Sequence, residues 1–145
     1  MIHDIKITPL KIISDNRGKV MHMLRNDSPI FKSFGEIYFS TVYKNLIKAW
    51  HLNKNSTSNY ACIFGEVKLV LFDNRKNSNS KGKIQELILS PKNYSLVTIP
   101  PNIWKGFKGL SDPDSIIANC LDLSHDEKDM VRIDPLDKSI DYKWS

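Results

Sequence analysis

The stretch that decides the fold is Lys48-Ala-Trp-His-Leu-Asn-Lys54, in which an apolar run from Leu46 to Trp50 leads directly into His51. A polar segment, Asn53 to Asn59, separates this run from the next apolar one. The pattern predicts a β-strand whose last side chain can lean into a cavity. Histidine in that place can act as a proton-transfer base, because its ordinary pKa lies close to neutrality. It can equally close the strand and bond a backbone carbonyl.

Working outward, side-chain character alternates with a period of two along nearly the whole chain, as in half-buried strands. The predicted strands are Ile5 to Ile13 (broken at Pro9), Lys19 to Leu24, Glu36 to Val42, Leu46 to His51, Tyr60 to Phe64, Glu66 to Phe72, Ile84 to Leu89, Ser95 to Ile99 and Ser115 to Leu121. The only candidate helix is the short acidic stretch Ser124 to Met130. We therefore expect one all-β domain, 1–145, built as a sandwich or barrel.

Composition excludes several classes of protein. The formal charge is +5, but the lysines are spread from Lys6 to Lys143 without a basic cluster, so nucleic-acid binding is not expected, whereas a small anionic ligand is compatible. No apolar run approaches the roughly 20 residues of a membrane span. The N-terminus lacks the pattern of a signal peptide, which predicts a cytoplasmic protein. Cys62 and Cys120 lie in apolar runs without metal or redox spacing and are expected to be buried thiols.

A second distinctive segment is Thr98-Ile-Pro-Pro-Asn-Ile-Trp-Lys-Gly-Phe107. The paired prolines end a strand and stiffen the turn. Trp104 and Phe107 then bring aromatic surface to one place. This surface can form a core plug behind the turn, or a cavity wall against which a planar ring or a sugar packs.

Together these motifs resemble one family. The motifs are Asp15-Asn-Arg-Gly18, Glu36-Ile-Tyr-Phe-Ser-Thr-Val42, Lys48-Ala-Trp-His51, Phe64-Gly-Glu-Val-Lys-Leu-Val-Leu-Phe-Asp-Asn-Arg75 and Ile99-Pro-Pro-Asn-Ile-Trp-Lys-Gly-Phe107. Their order and spacing are similar to those of the dTDP-4-dehydrorhamnose 3,5-epimerase family. The resemblance covers nearly the whole chain and implies a cupin-type jelly-roll fold.

The resemblance implies proton chemistry beside a ketone, without a cofactor, on a nucleotide-diphosphate 4-keto-6-deoxy sugar. His51 is then the base, and Lys48 stands where the family has an arginine that could offset enolate or phosphate charge. Arg17 matches an arginine that looks like a diphosphate contact, often reached across a homodimer through exchanged N-terminal strands. Taken alone, Arg17 reads as an exposed turn residue.

One geometric condition follows from these assignments. Lys48 and His51 are three residues apart, so a regular strand would send their side chains to opposite faces. Both can line one cavity only if a bulge or bend lies between them.

The chain also departs from the family pattern. The region of the family's acid tyrosine reads Ile116-Ile-Ala-Asn-Cys120, in which Asn119 is the nearest polar candidate. His125 could replace the acid, or could cap the acidic turn that follows. Lys105 replaces a histidine and, with Trp104, is a predicted substrate contact. The family's carboxylate partner of the base lies in a C-terminal extension of longer members, beyond the position matched by Ser145.

Two alternatives to epimerisation stay open at this level. Sugar 3,4-ketoisomerases carry a segment similar to His51-Leu-Asn-Lys54, so Asn53 and Lys54 are also predicted substrate contacts. The other alternative is a non-catalytic cupin that binds sugar nucleotides. A metal site is not expected, because a cupin metal site needs a His-x-His pair with two further ligands, and the four histidines are scattered.

Overall fold

The computed structural model describes all residues, 1–145, and its regular secondary structure consists almost entirely of antiparallel strands. The strands are β1 (Lys6–Pro9), β2 (Ile12–Asp15), β3 (Gly18–Met21), β4 (Glu36–Tyr43), β5 (Ile47–Asn53), β6 (Ser58–Phe64), β7 (Val67–Asp73), β8 (Ile84–Leu89), β9 (Ser95–Ile99), β10 (Ile103–Gly109), β11 (Asp114–Leu121) and β12 (Met130–Arg132). The single helix is a 3-10 turn, Pro91–Asn93. No helix has the length and apolar character needed to cross a membrane.

Two five-stranded sheets face each other. The first has the strand order β1-β9-β6-β11-β4, and the second has the order β12-β5-β10-β7-β8. A separate hairpin, β2-β3, extends from the first sheet. The jelly-roll fold expected from the sequence is confirmed, as an open sandwich of two sheets.

The main core fills the space between the two sheets. Its largest contributions come from the inward side chains of β7, β9 and β10, among them Leu69, Leu71, Ile99, Ile103 and Phe107. Alternate positions on each strand supply these residues, as the period of two predicts. The core packs along one part of the interior and leaves the region around His51 hollow.

Part of the outer face of each sheet is also covered, and the cover over the second sheet explains why β7 is buried at every position. In the segment 10–30, the side chains of Leu10, Met21 and Met23 pack over the first sheet. The C-terminal segment packs Ile140, Tyr142 and Trp144 against Trp50 on the back of the second sheet, with the Trp50 and Trp144 ring centroids 5.1 Å apart. Because both faces are apolar, strict alternation is lost in the central strands.

The structure differs from the sequence expectations in three respects. The strand predicted from Ile5 to Ile13 is broken after Pro9, as expected, but its two parts join different sheets, since β1 pairs with β9 and β2 with β3. The stretch Ser124 to Met130 is not helical; the Asp126 side chain accepts the backbone N–H of Lys128, a local bond that competes with helix formation. Strands β10 and β12 were not predicted.

Candidate active site

The site begins with an irregularity in β5. Lys105 of β10 lies opposite His51, whereas Phe107, two residues on, lies opposite Lys48, three residues back. Strand β5 therefore holds one extra residue at this point, a β-bulge. The bulge places Lys48 and His51 on the same side of the sheet, and both line one cavity.

Gly106 makes this bulge possible. A Cβ atom added at Gly106 would lie 2.3 Å from Ala49 Cβ and 3.0 Å from Ala49 Cα. Real side chains do not approach this closely, so only glycine lets β10 pass the extra residue of β5. The Lys-Gly-Phe segment noted in the sequence is thus an inner strand that shapes the site.

The cavity has a volume of about 360 Å³. This is within the range of small-molecule sites, roughly 300 to 1,000 Å³. Its lining combines two cationic side chains with one histidine, a hydroxyl and apolar surface: Ser40, Lys48, Ala49, Trp50, His51, Phe107 and Arg132. Lys48 Nζ donates to Ser40 Oγ at 3.1 Å, which ties the two sheets together at this wall.

His51 is held by a tyrosine from the opposite sheet. Its Nε2 lies 2.9 Å from the hydroxyl of Tyr60, a fully buried residue of β6. Burial, together with the charges of Lys105 and Arg132, lowers the pKa of His51 to about 3. The imidazole is therefore neutral near pH 7, the form that can accept a proton.

Behind His51 lies a buried polar network centred on Lys105, whose side chain is 1% exposed. Its Nζ donates to Asn53 Oδ1 at 2.7 Å, and Asn53 Nδ2 donates to Asp129 Oδ2 at 3.0 Å. Burial lowers the pKa of Lys105 to about 7, against the attraction of Asp129. Burial alone would raise the pKa of Asp129, but hydrogen bonds from Ser56, Asn53 and the backbone outweigh it and lower that pKa.

A second polar row crosses the inner face of the first sheet. Asn119 of β11 is paired in register with Tyr38 of β4 on one side and with Tyr60 of β6 on the other. Its Nδ2 donates to Tyr38 Oη at 2.9 Å, while its Oδ1 has no hydrogen-bond partner. Asn119 is itself buried and lies between the two tyrosines in the pairing register.

Of the residues proposed from the sequence, only His51 and Lys48 line the cavity. Asn53, Lys105 and Asn119 are buried in the networks just described. Trp104 contacts the outer cluster behind the sheet, and Lys54 is exposed after the end of β5. Arg17 is paired with Asp15 at the tip of the β2-β3 hairpin, and His125 borders a different polar cavity between loops.

Sequence reasoning missed four residues that the structure brings to this region: Ser40, Tyr60, Arg132 and Tyr38. The inward positions of β4 and β6 were readable from alternation, but which strands face His51 was not. Arg132 lies on β12, which pairs with β5 and places Arg132 opposite His51. No group of three or more His, Cys, Asp or Glu side chains is arranged to hold a metal ion.

The His51 ring is expected to stay neutral at about pH 5, where an ordinary histidine with a pKa of about 6.5 is largely charged. As the pH falls, the His51 imidazole becomes protonated in the unfolded chain before it does in the folded protein. The free energy of unfolding should therefore fall as the pH drops from about 6.5 toward 3. The total loss is several kcal/mol, at about 1.4 kcal/mol per pKa unit. NMR titration of the imidazole and urea unfolding at several pH values measure both effects.

Lys105→Met is the matched variant for this titration, since it removes one of the charges that act on the ring. It should raise the pKa of His51. An imidazole that titrates near its ordinary value in the unmodified protein would contradict the buried, neutral assignment.

Two facing antiparallel sheets with a neutral histidine directed into a small-molecule cavity define a cupin-type protein. The chain belongs to the dTDP-4-dehydrorhamnose 3,5-epimerase family, whose model matches residues 1–145. The resemblance inferred from the sequence motifs is therefore confirmed.

Individual relatives agree with this assignment. The crystal structure of a dTDP sugar isomerase from Desulfovibrio desulfuricans G20 is 36% identical, has a TM-score of 0.96, and the match covers 99% of this chain and 92% of that one. The spore coat polysaccharide biosynthesis protein SpsL of Bacillus subtilis is 28% identical over 147 residues, covering 100% of this chain and 97% of the relative. The dTDP-6-deoxy-D-glucose-3,5-epimerase of Legionella pneumophila, solved with dTDP-4-keto-L-rhamnose, is 25% identical with a TM-score of 0.86, covering 99% and 79%.

Proposed function

We propose that the protein epimerises a nucleotide-diphosphate 4-keto-6-deoxy sugar at C-3, or at C-3 and C-5, in the biosynthesis of a surface polysaccharide or deoxysugar. The observation that carries the proposal is the neutral imidazole of His51 facing a sugar-sized cavity in a chain of this family. The names of the relatives supply the substrate class, since two of them are described as acting on dTDP sugars and one as a polysaccharide biosynthesis protein.

The chemistry proposed for the cavity uses the acidity of a C–H bond beside a ketone. A ring nitrogen of His51 removes the proton, and the electron pair of that bond moves onto the C-4 oxygen to give an enolate. The cations Lys48 and Arg132 line the same cavity and stabilise the negative charge on the enolate oxygen or on the diphosphate. A new C–H bond then forms on the opposite face, which inverts the carbon.

The bond between His51 and Tyr60 gives the base its orientation. When His51 Nε2–H donates to the Tyr60 hydroxyl, the lone pair of Nδ1 is left free to take the proton. A buried neutral phenol therefore aligns the base. Because Tyr60 carries no charge, the imidazole keeps its lowered pKa.

The test is incubation of the protein with dTDP-4-keto-6-deoxyglucose in D₂O, followed by NMR of the sugar. Deuterium at C-3 or C-5 together with inversion supports the proposal. A ketone moved to C-3 would indicate the ketoisomerase instead. Binding of the nucleotide sugar without any exchange would indicate the non-catalytic binder and would overturn the epimerase proposal.

We also propose that the protein works as a homodimer. Ile37 and Phe39 are exposed on the outer face of β4, an edge strand, and Ile13 and Val20 are exposed on the β2-β3 hairpin. Exposed apolar side chains on an edge strand are typical of association surfaces. Since β1 is paired within its own chain, the exchanged N-terminal element is taken to be the hairpin, which would carry the 85% exposed Arg17 toward the neighbouring subunit's diphosphate site.

Phe39→Asp should convert the dimer to a monomer, because it places a charge in the centre of the proposed apolar contact. Analytical ultracentrifugation at micromolar concentration measures this change. Ile88→Asp is the matched control, since Ile88 is also exposed, on an edge strand of the other sheet. A protein that sediments as a monomer before any substitution would overturn the dimer proposal.

A further inference from the structure

We propose that Tyr38 is the acid that returns the proton to the face of the sugar opposite His51. The inference rests on the proposed epimerisation and supplies the group that the sequence lacks in Ile116-Ile-Ala-Asn-Cys120. The acid is then on the neighbouring strand β4, directly across from Asn119 in the pairing register.

The first argument is position. Tyr38 and Ser40 are two residues apart on β4, so their side chains leave the same face of the strand. Ser40 lines the His51 cavity and bonds Lys48 from the opposite sheet. Tyr38 is therefore directed into the space between the sheets, next to that cavity, and is still 36% exposed.

The second argument is separation. Tyr60, which bonds His51, lies on β6, and Tyr38 lies on β4. Strand β11, with Asn119, runs between these two strands. Two strand spacings amount to roughly 10 Å between their backbones. A hexose ring that lies over Asn119 has the base at one side and the Tyr38 hydroxyl at the other.

The third argument is the hydrogen bond that holds Tyr38. Asn119 Nδ2 donates to the phenolic oxygen, so the phenolic hydrogen remains available for the substrate. The same bond stabilises the phenolate that forms when the proton leaves, as does the charge of Arg132. Burial and the charge of Glu36 raise the pKa of Tyr38 above its usual value despite these two effects, so the hydroxyl is protonated near pH 7.

Other candidates fit less well. The Tyr60 hydroxyl is bonded to the base itself and so approaches the sugar from the same side as His51. Asn119 is buried and has no acidic proton to give. His125 borders a separate cavity formed by Asn55, Ser56 and the loop 123–129.

The proton balance closes without another reactant. A C–H bond breaks as an N–H bond forms on His51, and the enolate holds the electron pair. The Tyr38 O–H bond then breaks as a C–H bond forms on the other face. The imidazolium loses its proton to solvent and the phenolate regains one, so the enzyme returns to its starting state.

The experiment is to compare Tyr38→Phe with the unmodified protein on dTDP-4-keto-6-deoxyglucose in D₂O. We expect inversion to fall by roughly a hundredfold or more. Deuterium should still enter with retention of configuration, because His51 can remove a proton and return a deuteron on its own face. Tyr43→Phe is the matched control, the same change on an outward position of the same strand, and should leave both rates unchanged.

A second variant guards against simple loss of folding. A fluorotyrosine at position 38 keeps the hydroxyl but lowers its pKa, and should move the alkaline limb of the inversion profile to lower pH. Two results would overturn the role of Tyr38 and leave the proposed function standing. One is inversion by Tyr38→Phe at the rate of the unmodified protein, and the other is an alkaline limb that fluorotyrosine does not move. Absence of any exchange in the unmodified protein would instead overturn the proposed function, and the role of Tyr38 with it.

Discussion

Replacing His51 with alanine is expected to reduce deuterium incorporation into dTDP-4-keto-6-deoxyglucose by roughly a thousandfold, the midpoint of what general bases contribute. The ring is the only imidazole in the cavity, where its charged neighbours are the basic side chains Lys48 and Arg132. Exchange at carbon and inversion should fall together, because both begin with removal of the same proton. Proton NMR of the sugar signals over time measures both rates.

His3→Ala is the control for this variant, since His3 is exposed on the N-terminal segment, away from the cavity. Binding of dTDP should persist in His51→Ala, because the cations are retained, and a thermal shift on adding the nucleotide checks it. If His51→Ala exchanges deuterium at the rate of the unmodified protein, the base has been wrongly assigned. This variant also complements Tyr38→Phe, which should separate exchange from inversion.

Gly106→Ala is expected to destabilise the protein by about 1–3 kcal/mol, the cost of overpacking a well-filled interior. The new methyl group would overlap the Ala49 side chain and press on the backbone of β5 at the bulge. Because the bulge sets the direction of both Lys48 and His51, the remaining folded protein should also lose activity. Urea unfolding gives the first quantity and the deuterium-exchange rate gives the second.

The chain offers its own control for this effect. The double variant Ala49→Gly with Gly106→Ala moves the methyl group from one strand to the other and should recover part of the lost stability. Recovery is incomplete because the new Cβ still lies 3.0 Å from Ala49 Cα and 3.2 Å from the Lys48 carbonyl oxygen. If the stability effects of Ala49→Gly and Gly106→Ala simply add in the double variant, no steric conflict exists between these residues.

The sequence was informative wherever local alternation decides structure. The strands that became β4, β6, β8, β9 and β11 were predicted within about two residues. The strand containing Trp104 and Phe107 was not, because paired prolines and a glycine suggest a turn, whereas Gly106 is needed for close approach to Ala49. The break at Pro9 was predicted, but that β1 and β2 belong to different sheets was missed, since alternation does not reveal which sheet a strand joins.

For the site, the sequence predicted His51 as the base and the need for a bulge, but not the groups around them. The bond between Asn119 and Tyr38 joins residues 81 positions apart, and the bond between Asn53 and Asp129 joins residues 76 apart. Such partners depend on strand pairing, which a single sequence does not encode locally. Lys105 was interpreted as a substrate contact for the same reason, because its buried partner Asn53 was not known to be adjacent. The single-domain organisation and the cytoplasmic location stay predictions.

The two faces of strand β4, a segment of eight residues, have different proposed roles, one in catalysis and the other in association of subunits. Its even-numbered positions, which include Tyr38 and Ser40, face the space between the sheets beside the His51 cavity. The odd-numbered Ile37 and Phe39 face outward. A positional scan along this strand should therefore give alternating phenotypes, with altered turnover at one position and altered assembly at the next. Because an unpartnered edge strand frays more readily than a covered one, catalytic output per subunit should decline when the enzyme is diluted.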